Sequence, residues 1–401
     1  MQYSNQRKSS LITLSLCFVT TIFEGLELQS MGVAAPHIVA ELGLTSNEMG
    51  VIASASSFGL LVGALFAGML SDHVGRKWVL IGSIFQFSIF SLLTPWAQSV
   101  DALTLIRFAT GLGIGCAMPM VIAICAESVA PQSRIGVVTM MYSAIPMGGF
   151  IATYITLATE DWRNIFILGG IAPLMLTPVL IKYLSESNKF LKAQHGSGES
   201  ALKSNLRGLF SENRALATLY LWLGFFCAVA ILYMLLNWLP ILLIGKGYSN
   251  DEASTVQLVF NVGGSTGAIL LGWLMTRCRS RFIFAIATTG IAFSLIGFAM
   301  LEHHMLNAII AGVMLGIFVN GLVFLLYGQA GAFYPTRFRG TGVGMAVAAG
   351  RVGAIVGPLI IGLLLSADMG ESKVLISILP LVLIAGGVLH LLPSRSNTKP
   401  Y

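Results

Sequence analysis

Charge is scarce in this sequence: Asp, Glu, Lys and Arg make up 10% of its 401 residues, whereas 56% are hydrophobic and the mean hydropathy is +0.83. No soluble domain of this size needs so much apolar surface, so the composition excludes one. Cysteine is sparse as well, with Cys17, Cys116, Cys125 and Cys227 inside apolar runs and Cys278 in a polar break. No pair is placed for an extracellular disulfide, and no metal-ligand spacing is present. Nor is there a phosphate loop, a nucleotide motif or a catalytic triad, which argues against an ATP-driven pump and against an enzyme. The first apolar stretch lacks a clear small-residue cleavage site, is too long for a secretory signal and carries acids, so it reads as a retained helix.

What the sequence does have is a series of long apolar runs between short polar breaks. They predict twelve membrane-spanning helices at residues 11–36, 49–71, 78–97, 102–125, 136–157, 164–184, 215–244, 253–275, 281–300, 305–329, 341–366 and 372–392. Run length favours helices over barrel strands, which are shorter and alternate. The one extended hydrophilic stretch, residues 185–214, divides the spans six and six. The expectation is an all-α membrane protein in two pseudo-symmetric halves: six helices over 1–184, a cytoplasmic linker over 185–214 and six helices over 215–401. Two such halves around a midplane site are the usual plan of secondary transporters, with a six-plus-six channel or receptor as the alternative.

The net charge of +6 is distributed one-sidedly. With the N-terminus inside, the outer loops hold only Arg163, Lys246 and Lys373, while Arg107 and Arg351 lie in spans and the other Lys and Arg residues fall in tails and inner loops. This positive-inside pattern places both termini in the cytoplasm, and it makes the lipid bilayer, not nucleic acid, the partner of the basic surface.

Few charges lie within the spans, and those few carry the chemistry. Phe23-Glu24-Gly25-Leu26-Glu27-Leu28 puts two carboxylates in the first helix, at a depth where each is costly unless bound, paired or protonated. Three residues apart, they point to nearly the same side of a helix and cannot both ionise cheaply. Arg107 in the fourth span must meet an acid, and this pair is the acidic supply in the spans. Desolvation and repulsion raise a carboxyl pKa while an arginine lowers it, which is the tension a reversible proton carrier needs; a purely structural ion pair is the alternative.

Arg351 stands near the middle of the eleventh span, and no Asp or Glu lies in the predicted spans of the second half. A central guanidinium suits a carboxylate held by two hydrogen bonds, with pairing across the halves to Glu24 or Glu27 as the alternative. Tyr142, Tyr233, Asn237, Trp238, Gln257, Asn261, Asn320 and Tyr327 lie at about this depth and are candidates to stack on an aromatic guest or to bind a phenolic hydroxyl. Each taken singly is more often a packing residue, and Trp238, beside Pro240 near the outer surface, reads as a member of the interfacial belt.

The inner loop after the second span reads Gly68-Met69-Leu70-Ser71-Asp72-His73-Val74-Gly75-Arg76-Lys77. It resembles the Gly-x-Leu-x-Asp-Arg-x-Gly-Arg-Lys signature of the major facilitator superfamily, with His73 in place of the family arginine. The resemblance makes Asp72 and Arg76 gate residues, joined by Glu127 and Arg134, which with Pro131 match a family pattern of inner-gate charges. Asp161-Trp162-Arg163 and Ser185-Glu186-Ser187 are lesser echoes. In the second half the matching loop, Gly272 to Arg281, has lost its acid. The run Arg107-Phe108-Ala109-Thr110-Gly111-Leu112-Gly113-Ile114-Gly115 is similar to the Arg-x-x-x-Gly-x-Gly-x-Gly pattern that the family links to proton coupling.

The acidic motif of the first helix, Leu235-Leu236-Asn237-Trp238-Leu239-Pro240 and the Thr341-Gly342-Val343-Gly344 run with Arg351 resemble the aromatic acid:proton symporter branch, and within it the carriers of 3-phenylpropionate-type acids. The chain differs in its second acid, Glu27, where that branch usually has aspartate. The resemblance implies proton-coupled uptake of a small aromatic carboxylate, such as 3-(3-hydroxyphenyl)propionate, a hydroxycinnamate or a benzoate. It implies a monomer in a bacterial inner membrane, with the proton as coupling ion and no other cofactor. Alternatives are a carrier of another organic anion such as a muconate-type diacid, a drug:proton antiporter, whose Gly-Pro motif the fifth span lacks, and a non-transporting membrane sensor.

Overall fold

The computed structural model describes residues 2–129, 134–159, 161–186, 210, 214–300, 303–334 and 339–392, and among them every regular element is helical. The elements are α1 (Gln2–Leu42), α2 (Ser46–Val74), α3 (Arg76–Leu93), α4 (Val100–Glu127), α5 (Arg134–Thr159), α6 (Arg163–Tyr183), α7 (Ala215–Gly245), α8 (Asn250–Arg277), α9 (Ser280–Met300), α10 (Met305–Phe333), α11 (Arg339–Ser366), α12 (Glu371–Ser377) and α13 (Leu379–His390). Twelve spans among them are long and apolar enough to cross a membrane, and the last is assembled from α12 and α13. Its break falls just before Pro380, which lacks the backbone donor a continuous helix would use.

The chain divides into two compact units, Met1–Gly196 and Ser197–Tyr401. Most of the expected linker, residues 187–209 and 211–213, lies outside the described residues. Each unit repeats one packing scheme. In the first, α1 lies on α5, α2 on α4, and α3 on both α4 and α6. In the second, α7 lies on α11, α8 on α10, and α9 on both α10 and α13.

The repeat is visible in the turns. Gly43 (φ 62°) precedes a capping box of Thr45 and Glu48 at the start of α2, and Gly247 (φ 94°) precedes one of Ser249 and Glu252 at the start of α8. In both, the left-handed glycine turns the chain and the hydroxyl and carboxylate satisfy exposed amides of the first turn.

Close helix contacts are made where a side chain is missing. A Cβ on Gly111 or Gly115 of α4 would stand 2.0 or 2.2 Å from carbonyl oxygens of Ser56 and Leu60 in α2. Without a hydrophobic driving force between helices in lipid, such backbone approach is what holds a pair together.

α1 runs beyond the expected 11–36 at both ends. Its C-terminal end is tied to the start of α6, since Trp162 Nε1 donates to Glu41 at 2.9 Å and Arg163 pairs with the same carboxylate.

Candidate functional site

In the first unit α1, α3, α4 and α6 converge on one carboxylate. Glu27 and Arg107 are both 0% exposed. Arg107 Nη1 donates to Glu27 Oε1 at 2.7 Å, and Nη2 donates to the Glu27 backbone carbonyl at 3.2 Å. The guanidinium also lies over the Phe166 ring of α6, 5.5 Å from its centroid. The other carboxylate oxygen, Oε2, accepts from the Ser91 hydroxyl of α3 at 2.7 Å. Glu24, one turn earlier on α1, is 1% exposed. The expected meeting of Arg107 with the acid pair is thus made through Glu27. Ser91 was not among the sequence candidates, because one serine among several in an apolar run carries no signal.

On its α5 side the same stretch of α1 is packed through glycine. A Cβ on Gly25, between the two acids, would stand 2.1 Å from the Ile145 carbonyl oxygen, and one on Gly148 would stand 2.1 Å from that of Ile22. Tyr142 lies half-buried on α5.

At the end of this unit where α2 turns into α3, Gly75 has φ 96°, and its N–H donates to the Ser71 carbonyl at 3.1 Å. That left-handed turn explains the glycine of the loop motif. Arg76 and Glu127, two of the four gate candidates, approach to 3.9 Å. Asp72 and Arg134 are carried by α2 and α5, and their side chains lie outside the described residues. The start of α3 is held by an acid that the sequence marked only as a lesser echo. Glu186 accepts from the backbone amides of Arg76 and Lys77 at 3.0 and 3.3 Å, an anion set on a helix N-terminus. Lys77 Nζ in turn donates to the Ile181 carbonyl at 2.8 Å.

In the second unit Arg351 is half-buried on α11, and its Nη1 donates to the Tyr233 hydroxyl of α7 at 3.2 Å. The Asn237 amide donates back to the Tyr233 carbonyl at 2.8 Å, so its nitrogen serves its own helix. Tyr327 packs edge-on against Phe225, with centroids 5.3 Å apart. Trp238 departs from expectation. It is 1% exposed, and its indole N–H donates to the Pro358 carbonyl at 3.1 Å, joining α7 to α11, so it is a core residue and not a belt residue.

Along α8, Gln257 and Asn261 are 0% and 1% exposed. Both amide atoms of Gln257 and the amide nitrogen of Asn261 have no hydrogen-bond partner among the described residues. Asn320 of α10 reaches the same helix, since a Cβ on Gly264 would lie 2.7 Å from its amide nitrogen, which donates to Gly316 at 3.3 Å. A buried amide left unpaired costs about 1–3 kcal/mol, so these atoms, unpaired among the described residues, are the polar groups of this unit with hydrogen-bonding capacity to offer.

The family model described as Major Facilitator Superfamily matches residues 17–303 and 247–400. The chain belongs to the major facilitator superfamily. Among its relatives, the 3-(3-hydroxy-phenyl)propionate transporter of Escherichia coli K12 is 38% identical, covering 99% of this chain and 98% of that protein. The gallate transporter of Pseudomonas putida is 34% identical, covering 90% and 86%. Among solved structures, the E. coli xylose transporter superposes with a TM-score of 0.78 at 16% identity over 98% of this chain and all of that one, a likeness of fold. As a superfamily member the protein is a multi-pass membrane transport protein and not an enzyme.

Proposed function

We propose that the protein takes up small aromatic carboxylates together with protons, by alternating access, across a bacterial inner membrane with both termini in the cytoplasm. The observation that carries the substrate class is the full-length resemblance to a carrier of 3-(3-hydroxy-phenyl)propionate. The geometry of each unit agrees with it. Arg351 holds the carboxylate of the guest, with the Tyr233 hydroxyl orienting the guanidinium. Gln257, Asn261 and Asn320 offer amides to a ring hydroxyl, Asn237 and Tyr327 shape the rest of the second unit's share of the site, and Tyr142 is the first unit's aromatic candidate. Glu27, with Glu24 one turn away, carries the proton, and Arg107 stabilises its ionised form.

The proton is the coupling ion in this reading and no other cofactor takes part. One proton per monocarboxylate moves no net charge, so uptake then follows the pH gradient. A second proton, on Glu24, makes it sensitive to potential as well, worth about 2.3 kcal/mol per 100 mV.

The deciding experiment is uptake of labelled 3-(3-hydroxyphenyl)propionate into proteoliposomes under an inward proton gradient, beside benzoate, gallate and a muconate-type diacid. Accumulation that a protonophore collapses is the expected result. Uptake indifferent to the gradient would remove the proton from the reading, and exchange of the diacid alone would replace the substrate class.

A further inference from the structure

The Ser91 hydroxyl has two acceptors and one proton. It lies 2.7 Å from Glu27 Oε2 and 3.0 Å from the carbonyl oxygen of Phe166, and Ser91 is 0% exposed. A carbonyl in a helix keeps a second lone pair beside its helical bond, so Phe166 can accept from Ser91 at any time. When Glu27 is ionised, Ser91 donates to Oε2. When Oε2 carries a proton, that carboxyl becomes the donor, Ser91 accepts with its lone pair, and its own proton turns to Phe166. The two arrangements use the same heavy-atom positions and differ by rotation of the hydroxyl.

We propose that Ser91 is a positioning residue for the proton-carrying carboxyl, a hydroxyl rotor that satisfies Glu27 in both protonation states in a site with no exposure to water. The inference rests on the reading of Glu27 as proton carrier and adds the residue that lets it alternate. Arg107 cannot do this alone, because a guanidinium only donates and so favours only the ionised form. The proton enters and leaves Glu27 while Ser91 keeps its own, so no bond at Ser91 forms or breaks.

The surroundings leave this task to Ser91. Arg107 on α4 is the cation that meets Glu27, and Glu24 stands one turn earlier on α1. From α3 and α6, Ser91 and Gly169 stand at the carboxylate, and α5 meets α1 at Ile145, Gly148 and Gly149, all of them uncharged. Gly169 makes the room, since a Cβ there would stand 2.9 Å from Glu27 Oε2 and 3.5 Å from Ser91 Oγ.

The test is the pH profile of uptake and counterflow in proteoliposomes for Ser91→Ala, Ser91→Thr and Glu27→Gln. Loss of the hydroxyl removes a stronger bond from the ionised carboxylate than from the acid, so Ser91→Ala should move the alkaline limb of the profile up by about one pH unit. Ser91→Thr keeps the hydroxyl and should restore the wild-type midpoint. Adding Ser91→Ala to Glu27→Gln should change the profile no further. If Ser91→Ala fails to assemble, Ser91→Cys, close in size with a weak donor, should show the same upward shift. An unmoved profile in a folded Ser91→Ala or Ser91→Cys protein overturns the inference and leaves the Glu27 reading standing. Should Glu27→Gln itself still concentrate substrate, the Glu27 reading fails and Ser91 falls with it.

Discussion

Arg107 binds Glu27 twice, once through the carboxylate at 2.7 Å and once through the backbone carbonyl at 3.2 Å, with both residues fully buried. The arginine therefore fixes the helix as well as the charge. Arg107→Ala leaves a buried carboxylate without its cation, a loss on the order of 3–5 kcal/mol while Glu27 stays ionised. Thermal unfolding in detergent should show a large drop for Arg107→Ala and a smaller one for the double variant with Glu27→Gln, which removes the stranded charge. Equal drops would mean that the charge is not what Arg107 serves. Arg107→Lys, a point charge without the planar fork, should fall between wild type and Arg107→Ala.

Gly25 and Gly82 separate two uses of glycine in membrane helices. An added methyl at Gly25 would meet the Ile145 backbone at 2.1 Å, and backbone cannot step aside. Gly82 has nothing within 4 Å of its missing Cβ. Gly25→Ala should cost about 1–3 kcal/mol and displace α1 from α5, whereas Gly82→Ala should fold and transport as wild type. Uptake and apparent Tm measured on both variants read the contrast.

Glu186→Ala removes the acceptor for two amides at the start of α3, a loss of about 1 kcal/mol by analogy with helix caps. For a unit of this size that is about 2–4 °C in apparent Tm. Glu186→Gln keeps an acceptor oxygen but loses the charge that favours a helix N-terminus, so it should lose about half as much. A Glu186→Ala protein with unchanged Tm would mean that water caps α3 equally well.

The spans were legible because their signal is length, which one-dimensional sequence carries directly; the break before Pro380 was not, because an apolar run hides a helix that restarts within it. The meeting of Glu27 with Arg107 was legible because charge in lipid demands a partner, and α4 supplies it. Ser91 was not, since a serine costs little in a helix and its value lies in what α1 and α6 bring to it. Trp238 misled for the same reason: tryptophan near a span end usually marks the interface, and only the fold places the Pro358 carbonyl within reach of its N–H. Glu186 was seen but undervalued, because its partners are backbone amides 110 and 109 residues away.

Arg351 and Tyr233 should divide in their effects. Arg351→Ala removes the proposed charge-assisted bonds to the guest and should raise KM for aromatic carboxylates by about 10- to 100-fold or abolish uptake. Tyr233→Phe removes only the 3.2 Å hydrogen bond that orients the guanidinium, and should raise KM several-fold with the same substrate order. Binding of 3-(3-hydroxyphenyl)propionate to purified Arg351→Ala with wild-type affinity would move the carboxylate elsewhere.

The amide of Gln257 and the amide nitrogen of Asn261, unpaired among the described residues, give a test of what the guest carries on its ring. In an empty site these buried groups are a cost, so Gln257→Leu should leave stability unchanged or raised. With a guest in the proposed site the sign depends on the ring: a phenolic hydroxyl should lose its partner, while an unsubstituted ring should lose nothing. Competition uptake should therefore show Gln257→Leu weakening 3-(3-hydroxyphenyl)propionate about tenfold relative to 3-phenylpropionate. The selectivity ratio is the informative quantity, because a variant that merely disturbs α8 lowers both acids together. Equal loss of the two would place the amides against water or backbone, and the ring hydroxyl would then have to be recognised by another residue.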